Sequence, residues 1–129
     1  MRQLFQDNME TYARKSETVR NAELIKPGIA LSICPPDTPN AQLIAAQAAD
    51  SLLNITGIHA SIVLCSTDEG IMVSGRSLGH INMQVILEKL GGGGHLTMAG
   101  AQLGNTTIDE AKKLVIQAVE DYLKEGDSK

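Results

Sequence analysis

The chain has 129 residues, of which 43% are hydrophobic and 20% are charged, a composition typical of one globular domain rather than a disordered or fibrous chain. Eleven basic and fifteen acidic side chains leave a formal net charge of -4, so no long-range field attracts the whole molecule to phosphate backbones or anionic lipid. The only aromatic side chains, Phe5, Tyr12 and Tyr122, lie near the two ends. Non-specific coating of nucleic acid and stacking of successive bases on aromatic rings are therefore disfavoured.

The two cysteines and the absence of long apolar runs indicate where in the cell the chain is located. Cys34 and Cys65 lie 31 positions apart, outside any CxxC or Cys-His cluster. This arrangement favours two reduced thiols, as a reducing cytoplasm would keep them. No apolar run approaches the roughly 20 residues that span a bilayer, and the first residues lack a signal-peptide core. We expect a cytoplasmic domain that makes no direct membrane contact.

The first half of the chain predicts a helix, a strand and a second helix. Apolar residues at mostly three- and four-residue spacings predict an amphipathic helix over 3–24, which a Lys-Pro-Gly turn at 26–28 ends. The apolar run 29–33 lies between turn signals and predicts a buried strand. Thr38, followed by a proline, predicts the cap of a helix that extends to about residue 54.

The second half predicts a hairpin, a short helix, a strand and a final helix. The hairpin is expected to pair residues 60–65 with 71–74, and a loop over 75–80 follows it. The short helix is expected at 82–90, the strand at 98–103 and the final helix at 108–125. Asn82 is the expected cap of the short helix, and Thr107 with Glu110 has the form of a capping box. The sum predicts an α/β fold with a mixed sheet of about four to five strands and helices on both faces.

Four consecutive glycines, residues 91–94, precede His95 and form the most informative stretch. A glycine helix stop needs one such residue, whereas four cost backbone entropy without any side-chain packing. We therefore favour a loop that presents successive N–H groups to an anion, with His95 as an additional donor. A helix stop that runs into a flexible turn is the alternative. The run is not a Walker A loop, because no Lys-Ser or Lys-Thr follows it. It is not a dinucleotide-binding fingerprint either, because such a motif follows the first strand of its fold and this run follows a helix.

Arg76 and Lys89 are the only basic Lys or Arg side chains between Pro27 and Ala111, and both flank this region. A guanidinium group suits the binding of two phosphate oxygens, although a solvated loop arginine is the more common arrangement when the residue is considered alone. Lys89 is expected on the helix surface. No Cys, Asp or Glu lies close to His95 in the sequence, so we expect no metal site there.

Three segments together resemble a known family. They are Ser74-Gly75-Arg76-Ser77, Ile81-Asn82-Met83-Gln84-Val85-Ile86 and the stretch from Gly91 through His95 to Gly100. In this order they resemble the DHH-associated substrate-binding domain of the DHH phosphodiesterase superfamily. With the segments Leu4–Asp7 and Arg20–Glu23, the sequence is most similar to the GdpP/YybT branch, whose members hydrolyse cyclic di-AMP to linear pApA.

The resemblance implies which residues bind substrate. Gly92, Gly93, Gly94 and His95 match the motif that contacts the substrate, and Arg76 matches an arginine that binds its phosphate. Asn82 is a weaker match, since its expected role is that of a helix cap and contact with a ligand is the alternative. Met98 stands where many relatives have alanine, which leaves the local packing open.

The resemblance also implies a division of labour between two domains. In the family, an N-terminal DHH domain binds two manganese ions and activates the attacking water. No Asp-His-His occurs here, so we expect an inactive fragment in which residues 1–26 connect to a missing catalytic domain and 27–129 form one α/β body. This fragment itself would hold no cofactor. Its expected partners are that domain in cis, a cyclic dinucleotide or short oligonucleotide, and a second copy in a homodimer.

Other functions stay open at this stage. Within the family, the domain could belong to an oligoribonuclease or a 3'-phosphoadenosine phosphatase. Outside it, the domain could be a non-catalytic module that binds nucleic acid or dimerises, although the acidic charge balance disfavours the reading of RNA. The branch also implies that the parent protein is anchored to the cell membrane by N-terminal helices.

Overall fold

A computed structural model describes residues 2–36 and 38–127 of the chain. In this part of the chain, helices and strands alternate along most of the sequence. They are α1 (Arg2–Arg20), β1 (Glu23–Lys26), β2 (Ile29–Ile33), α2 (Ala41–Leu52), β3 (Ala60–Thr67), β4 (Gly70–Ser77), α3 (Met83–Glu88), β5 (Gly93–Gly94), β6 (Met98–Leu103) and α4 (Ile108–Asp127). The predicted α/β class is confirmed. Of the described helices, none is both long and apolar enough to cross a membrane.

The strands form one mixed sheet in the order β1-β2-β3-β4-β6-β5. The β2 and β3 strands run parallel and are joined by the crossover helix α2, whereas all other neighbouring strands are antiparallel. The sheet has six strands instead of the four to five predicted, because β1 and the two-residue β5 add an edge strand on each side.

Helices cover the two faces of the sheet unequally. On one face, α3 and α4 pack over apolar side chains such as Leu31, Ile62 and Val73. On the other face, α2 packs over Ala30 and Val63, and α1 packs against α2. The second face is open at its β6 and β5 end, where the outward side of β6 is exposed. We call this surface the open half-face, and define it by Gly93, Met98, Gly100 and Gln102.

The expected first helix ends early. Residues 23–26 form β1, which pairs with β2, because Gly28 adopts a φ of +80° and reverses the chain in a tight hairpin. The prediction of a helix to residue 24 is therefore wrong beyond Arg20. The buried hydroxyl of Ser32 in β2 donates to the carbonyl of Thr18, which ties the end of α1 to the sheet.

The predicted start of α2 is also wrong, while two other caps are confirmed. The helix begins at Ala41 after Asn40, which has a φ of 52° and makes no side-chain cap; the hydroxyl of Thr38 donates instead to the carbonyl of Pro35. Asn82 caps α3 by accepting from the N–H of Val85. The Thr107 hydroxyl likewise accepts from the N–H of Glu110 at the start of α4.

The two cysteines form a disulfide, with Cα atoms 5.0 Å apart. The expectation of two reduced thiols is therefore wrong. Cys34 directly follows β2 and donates its N–H to the carbonyl of Leu64 in β3, so parallel pairing brings it beside Cys65. The chain between the two cysteines contains the crossover helix α2, so the two residues are close in space although they are far apart in the sequence. The sequence spacing alone does not reveal this proximity.

Candidate ligand-binding site

Arg76 lies within β4, although the sequence predicted a loop from residue 75. Its side chain is 13% exposed and lies against α2, where its Nε donates to Oδ1 of Asp50 at 3.1 Å. Its Nη1 donates to the carbonyl of Gly75 at 3.0 Å. Among the described residues the remaining nitrogen, Nη2, has no hydrogen-bond partner. The guanidinium is thus oriented by the protein and keeps donors available to an anion.

The first glycine of the run ends helix α3. Gly91 has a φ of +85° and donates its N–H to the carbonyl of Glu88, while Gly92 donates to the carbonyl of Leu87. These two bonds make a Schellman motif, in which a glycine at the left-handed position costs least. The interpretation as a helix stop therefore accounts for Gly91 alone.

Two further glycines are required by the close approach of β6. A Cβ atom on Gly92 would lie 2.1 Å from the carbonyl oxygen of Gly100, and one on Gly94 would lie 2.4 Å from that of Met98. A Cβ atom on Gly93 would meet no heavy atom within 4 Å. Gly93 is therefore the one glycine of the run with no steric reason to lack a side chain and no positive φ.

The predicted glycine loop is in part a strand. Gly93 and Gly94 form β5 and pair with Gly100 and Ala99 of β6 at the edge of the sheet. Half of the run therefore lies in regular pairing instead of forming an open nest of N–H groups. The bare backbone of Gly93 is exposed at this edge, as part of the open half-face.

His95 lies in the turn that joins β5 to β6. Its N–H donates to the carbonyl of Met98, which closes the turn, and its side chain is exposed. Within residues 2–36 and 38–127 the imidazole makes no hydrogen bond or ion pair. Both ring nitrogens are consequently available to a ligand.

Ser77, which the sequence analysis did not single out, holds this turn in place. Its buried hydroxyl lies 2.7 Å from the carbonyl oxygen of Ile81 and 3.1 Å from that of Leu96. Its N–H donates to the carbonyl of Thr97, and the N–H of Met83 donates to Leu96. A serine at the end of an apolar strand was the only sign in the sequence that Ser77 has a structural role. The carbonyl groups near its hydroxyl could not be predicted from the sequence.

Strand register places the expected site residues at one end of the sheet. Arg76 pairs with Met98 across β4 and β6, so the turn that carries His95 lies directly beyond it. Asn82 begins α3 next to that turn, where its Oδ1 caps the helix and its N–H donates to the hydroxyl of Tyr122 at 2.9 Å. The register therefore places Arg76 and the turn that carries His95 at the same end of the sheet, with Gly93 in the edge strand β5. Asn82 starts its helix beside this turn, but on the face that α3 and α4 cover, whereas the Arg76 side chain contacts α2 on the opposite face.

Lys89, His59 and His80 each have a structural partner. Lys89 forms an ion pair with Glu125 of α4 at 2.7 Å, as expected of a surface lysine. The rings of His59 and His80 contact each other edge to face, with centroids 5.4 Å apart. In the described part of the chain, no group of three His, Cys, Asp or Glu side chains could hold a metal ion. The donors of Arg76 and His95 that have no protein partner suit the binding of an anion.

The fold and the sequence together define the family. The structure resembles that of an exopolyphosphatase-related protein from Bacteroides fragilis, with a TM-score of 0.76 at 22% identity over 88% of this chain and 35% of that chain. This likeness describes the fold. Residues 29–125 match the family model of the DHHA1 domain. The chain belongs to the DHHA1 domain family.

Relatives within the family are much longer proteins. The chain is 42% identical over 125 residues to the cyclic-di-AMP phosphodiesterase PdeA of Listeria monocytogenes, covering 96% of this chain and 19% of that protein. It is 37% identical over 127 residues to the cyclic-di-AMP phosphodiesterase GdpP of Geobacillus thermodenitrificans, covering 98% and 19%. The chain thus spans about a fifth of the length of these relatives, and the resemblance seen in its sequence is confirmed.

Proposed function

We propose that this chain is the substrate-binding domain of a phosphodiesterase that hydrolyses cyclic di-AMP to linear pApA. The observation that carries the proposal is the placement of Arg76 and the His95 turn side by side at one end of the open half-face. Both side chains keep unused donors, and both lie where a ligand can reach them. The similarity to two cyclic-di-AMP phosphodiesterases supports the choice of substrate.

In this proposal the domain binds and orients one nucleotide of the substrate. Nη2 of Arg76 donates to a phosphate oxygen, while Asp50 holds the guanidinium in position. The imidazole of His95 supplies a second donor, and Gly93 lets the substrate approach the backbone. Asn82 caps α3 beside the turn. In the complex, its side-chain amide group also contacts the substrate.

The chemical step belongs to a separate DHH domain that carries manganese. The short coverage of the relatives supports this division, since most of their length lies outside the matched region. The proposal extends to a cytoplasmic location, to a parent protein anchored by N-terminal membrane helices, and to a homodimer as the assembled form.

Steady-state kinetics of the full-length protein with cyclic di-AMP test this function. Arg76→Ala and His95→Ala should each lower kcat/KM about tenfold or more, as expected for the loss of a charge-assisted hydrogen bond to phosphate. Lys113→Ala removes an exposed positive charge from α4 on the other side of the sheet and should leave kcat/KM unchanged. Unchanged kinetics in both site variants would overturn the proposal.

The same assay separates the alternatives. Faster hydrolysis of the linear dinucleotide, longer RNA or 3'-phosphoadenosine 5'-phosphate than of cyclic di-AMP would assign the domain to an oligoribonuclease or phosphatase. Binding of tRNA without any response to dinucleotides would assign it to a non-catalytic module.

A further inference from the structure

Three rows of cross-strand partners run across the open half-face. Arg76 pairs with Met98, and Met72 pairs with Gln102. Between these two rows, Ser74 of β4 pairs with Gly100 of β6, which pairs with Gly93 of β5. Neighbouring rows on one face of a sheet are two residues apart, or about 6.6 Å. The middle row is thus a strip of almost bare backbone between two rows of long side chains, and we call it the glycine floor.

Packing does not require a glycine at position 93 and only mildly favours one at position 100. A Cβ atom on Gly93 would meet nothing within 4 Å, and one on Gly100 would meet only the carbonyl oxygen of Val73, at 3.3 Å. Neither residue has a positive φ. Glycine inside a strand costs conformational entropy, and it is typical of places where another molecule approaches the backbone closely. Gly93, which has neither a steric cause nor a positive φ, and its partner Gly100 together leave a flat surface that a ligand can approach.

The hydroxyl of Ser74 gives an independent indication of a ligand. Ser74 is 9% exposed, and in the described structure its hydroxyl has no hydrogen-bond partner. The oxygen is not sealed off, since the described chain leaves no fully buried side-chain oxygen or nitrogen unpaired. Its side chain lies on the same face of β4 as Arg76 and Met72, toward the glycine floor. A largely buried hydroxyl without a protein partner, beside an exposed strip of backbone, is a group whose partner a ligand can supply.

The side chains around the floor describe that ligand. Met98 is 49% exposed, and its flexible, polarisable thioether contacts aromatic rings favourably. Gln102 is exposed and offers both a donor and an acceptor. The rows carry no charge except on Arg76, at one end. A flat floor, neutral polar groups and a single cation beside them suit a planar, uncharged ring joined to an anion.

The geometry points to the glycine floor as the subsite for the base of a nucleotide whose phosphate lies at Arg76, with the Ser74 hydroxyl bonded to an edge of that base. This inference rests on the proposed function and adds where, and by which groups, the base is recognised. It also gives Met98 a role as the apolar wall beside the ring.

Two probes that differ only in the base test this subsite by NMR titration of the 129-residue chain. We expect adenosine 5'-monophosphate to bind about tenfold more tightly than ribose 5-phosphate and to shift the amide signals of Gly93 and Gly100. Gly100→Val, which fills the floor, should reduce the affinity for adenosine 5'-monophosphate to that for ribose 5-phosphate, whose own affinity stays unchanged. Ser74→Ala should lower only the affinity for adenosine 5'-monophosphate, without loss of stability, since no protein bond is removed.

Gly104→Val is the control, because it makes the same substitution beyond β6, at a position where a Cβ atom meets nothing within 4 Å. It should bind both probes as the original chain does. Equal affinities of the two probes for the original chain, no binding of adenosine 5'-monophosphate, or a Gly100→Val variant that weakens both probes equally would each overturn the base subsite.

Failure of the proposed function gives a different pattern. If Arg76→Ala leaves the affinity for ribose 5-phosphate unchanged, the phosphate site is wrong whatever the floor binds. A second copy of this chain is another occupant that the test detects. Sedimentation that shows a dimer disrupted by Gly100→Val, with no response to adenosine 5'-monophosphate, would assign the floor to self-association and overturn the subsite.

Discussion

The carboxylate of Asp50 and the guanidinium of Arg76 join α2 to β4 beside the open half-face, with Oδ1 and Nε 3.1 Å apart. The two residues differ in exposure, since the Asp50 side chain is 64% exposed and that of Arg76 only 13%. An ion pair with one partner in solvent contributes little to stability. Its effect here is to hold the arginine in one orientation.

Removal of the Asp50 carboxylate should affect ligand binding more than folding. We expect Asp50→Ala to change the free energy of unfolding by less than about 1 kcal/mol and to weaken the binding of adenosine 5'-monophosphate roughly two- to fivefold. Asp50→Asn keeps an acceptor for Nε and should retain the original affinity. Isothermal titration calorimetry measures all three proteins, and identical affinities would show that Asp50 does not orient Arg76.

Neighbouring glycines of the run should differ in their tolerance of a methyl group. Gly92→Ala places a Cβ atom 2.1 Å from the carbonyl oxygen of Gly100, and we expect it to lower the free energy of unfolding by about 1–3 kcal/mol. Gly93→Ala meets open space and should stay within about 0.5 kcal/mol of the original chain. Urea denaturation measures both, and equal losses would contradict the close approach of β6 at Gly92.

Reduction of the disulfide should destabilise the chain measurably. Cys34 and Cys65 are both buried, and the bond closes a loop across the crossover helix, with a sequence separation of 31. We expect dithiothreitol to lower the free energy of unfolding by about 2–4 kcal/mol. The double variant Cys34→Ser/Cys65→Ser is the control and should not respond to the reductant. A chain whose urea midpoint is insensitive to dithiothreitol would contain two thiols instead.

The cap of α3 can be separated from any contact with a ligand. Asn82→Ala removes the acceptor for the N–H of Val85 and should cost about 1 kcal/mol of stability, whereas Asn82→Asp caps equally well and should cost far less. Thermal unfolding compares the two variants. Equal destabilisation would mean that the side chain stabilises the protein through something other than the cap.

Sequence patterns predicted the helices and strands that are determined by neighbouring residues in the chain. The hairpin of β3 and β4 follows from two β-branched runs and a turn, and α4 follows from its capping residue Thr107 and its apolar spacing. The strands β1 and β5 could not be predicted in this way. β1 depends on the reversal at Gly28, and β5 consists of two glycines with no strand propensity that pair only because β6 lies beside them.

The residues of the candidate site also differ in whether the sequence could predict them. Arg76 and His95 were predicted because residue type and motif identify them, and their contact with a ligand stays a prediction. Asp50 and Ser74 were missed because their positions depend on long-range packing: Asp50 reaches Arg76 across 26 positions through the crossover helix. Ser74 becomes conspicuous only when the register shows Gly100 opposite it and Gly93 in the next strand.

The contacts of Ser77 connect three segments at the end of the sheet. This side chain joins the end of β4, the approach to α3 and the turn that carries His95. Because opening one segment breaks bonds that also hold the others, we expect their amide protons to exchange with solvent at similar rates. Under the proposed function, the substrate meets a turn whose backbone is already held in place, so little of the binding energy is spent on ordering that turn.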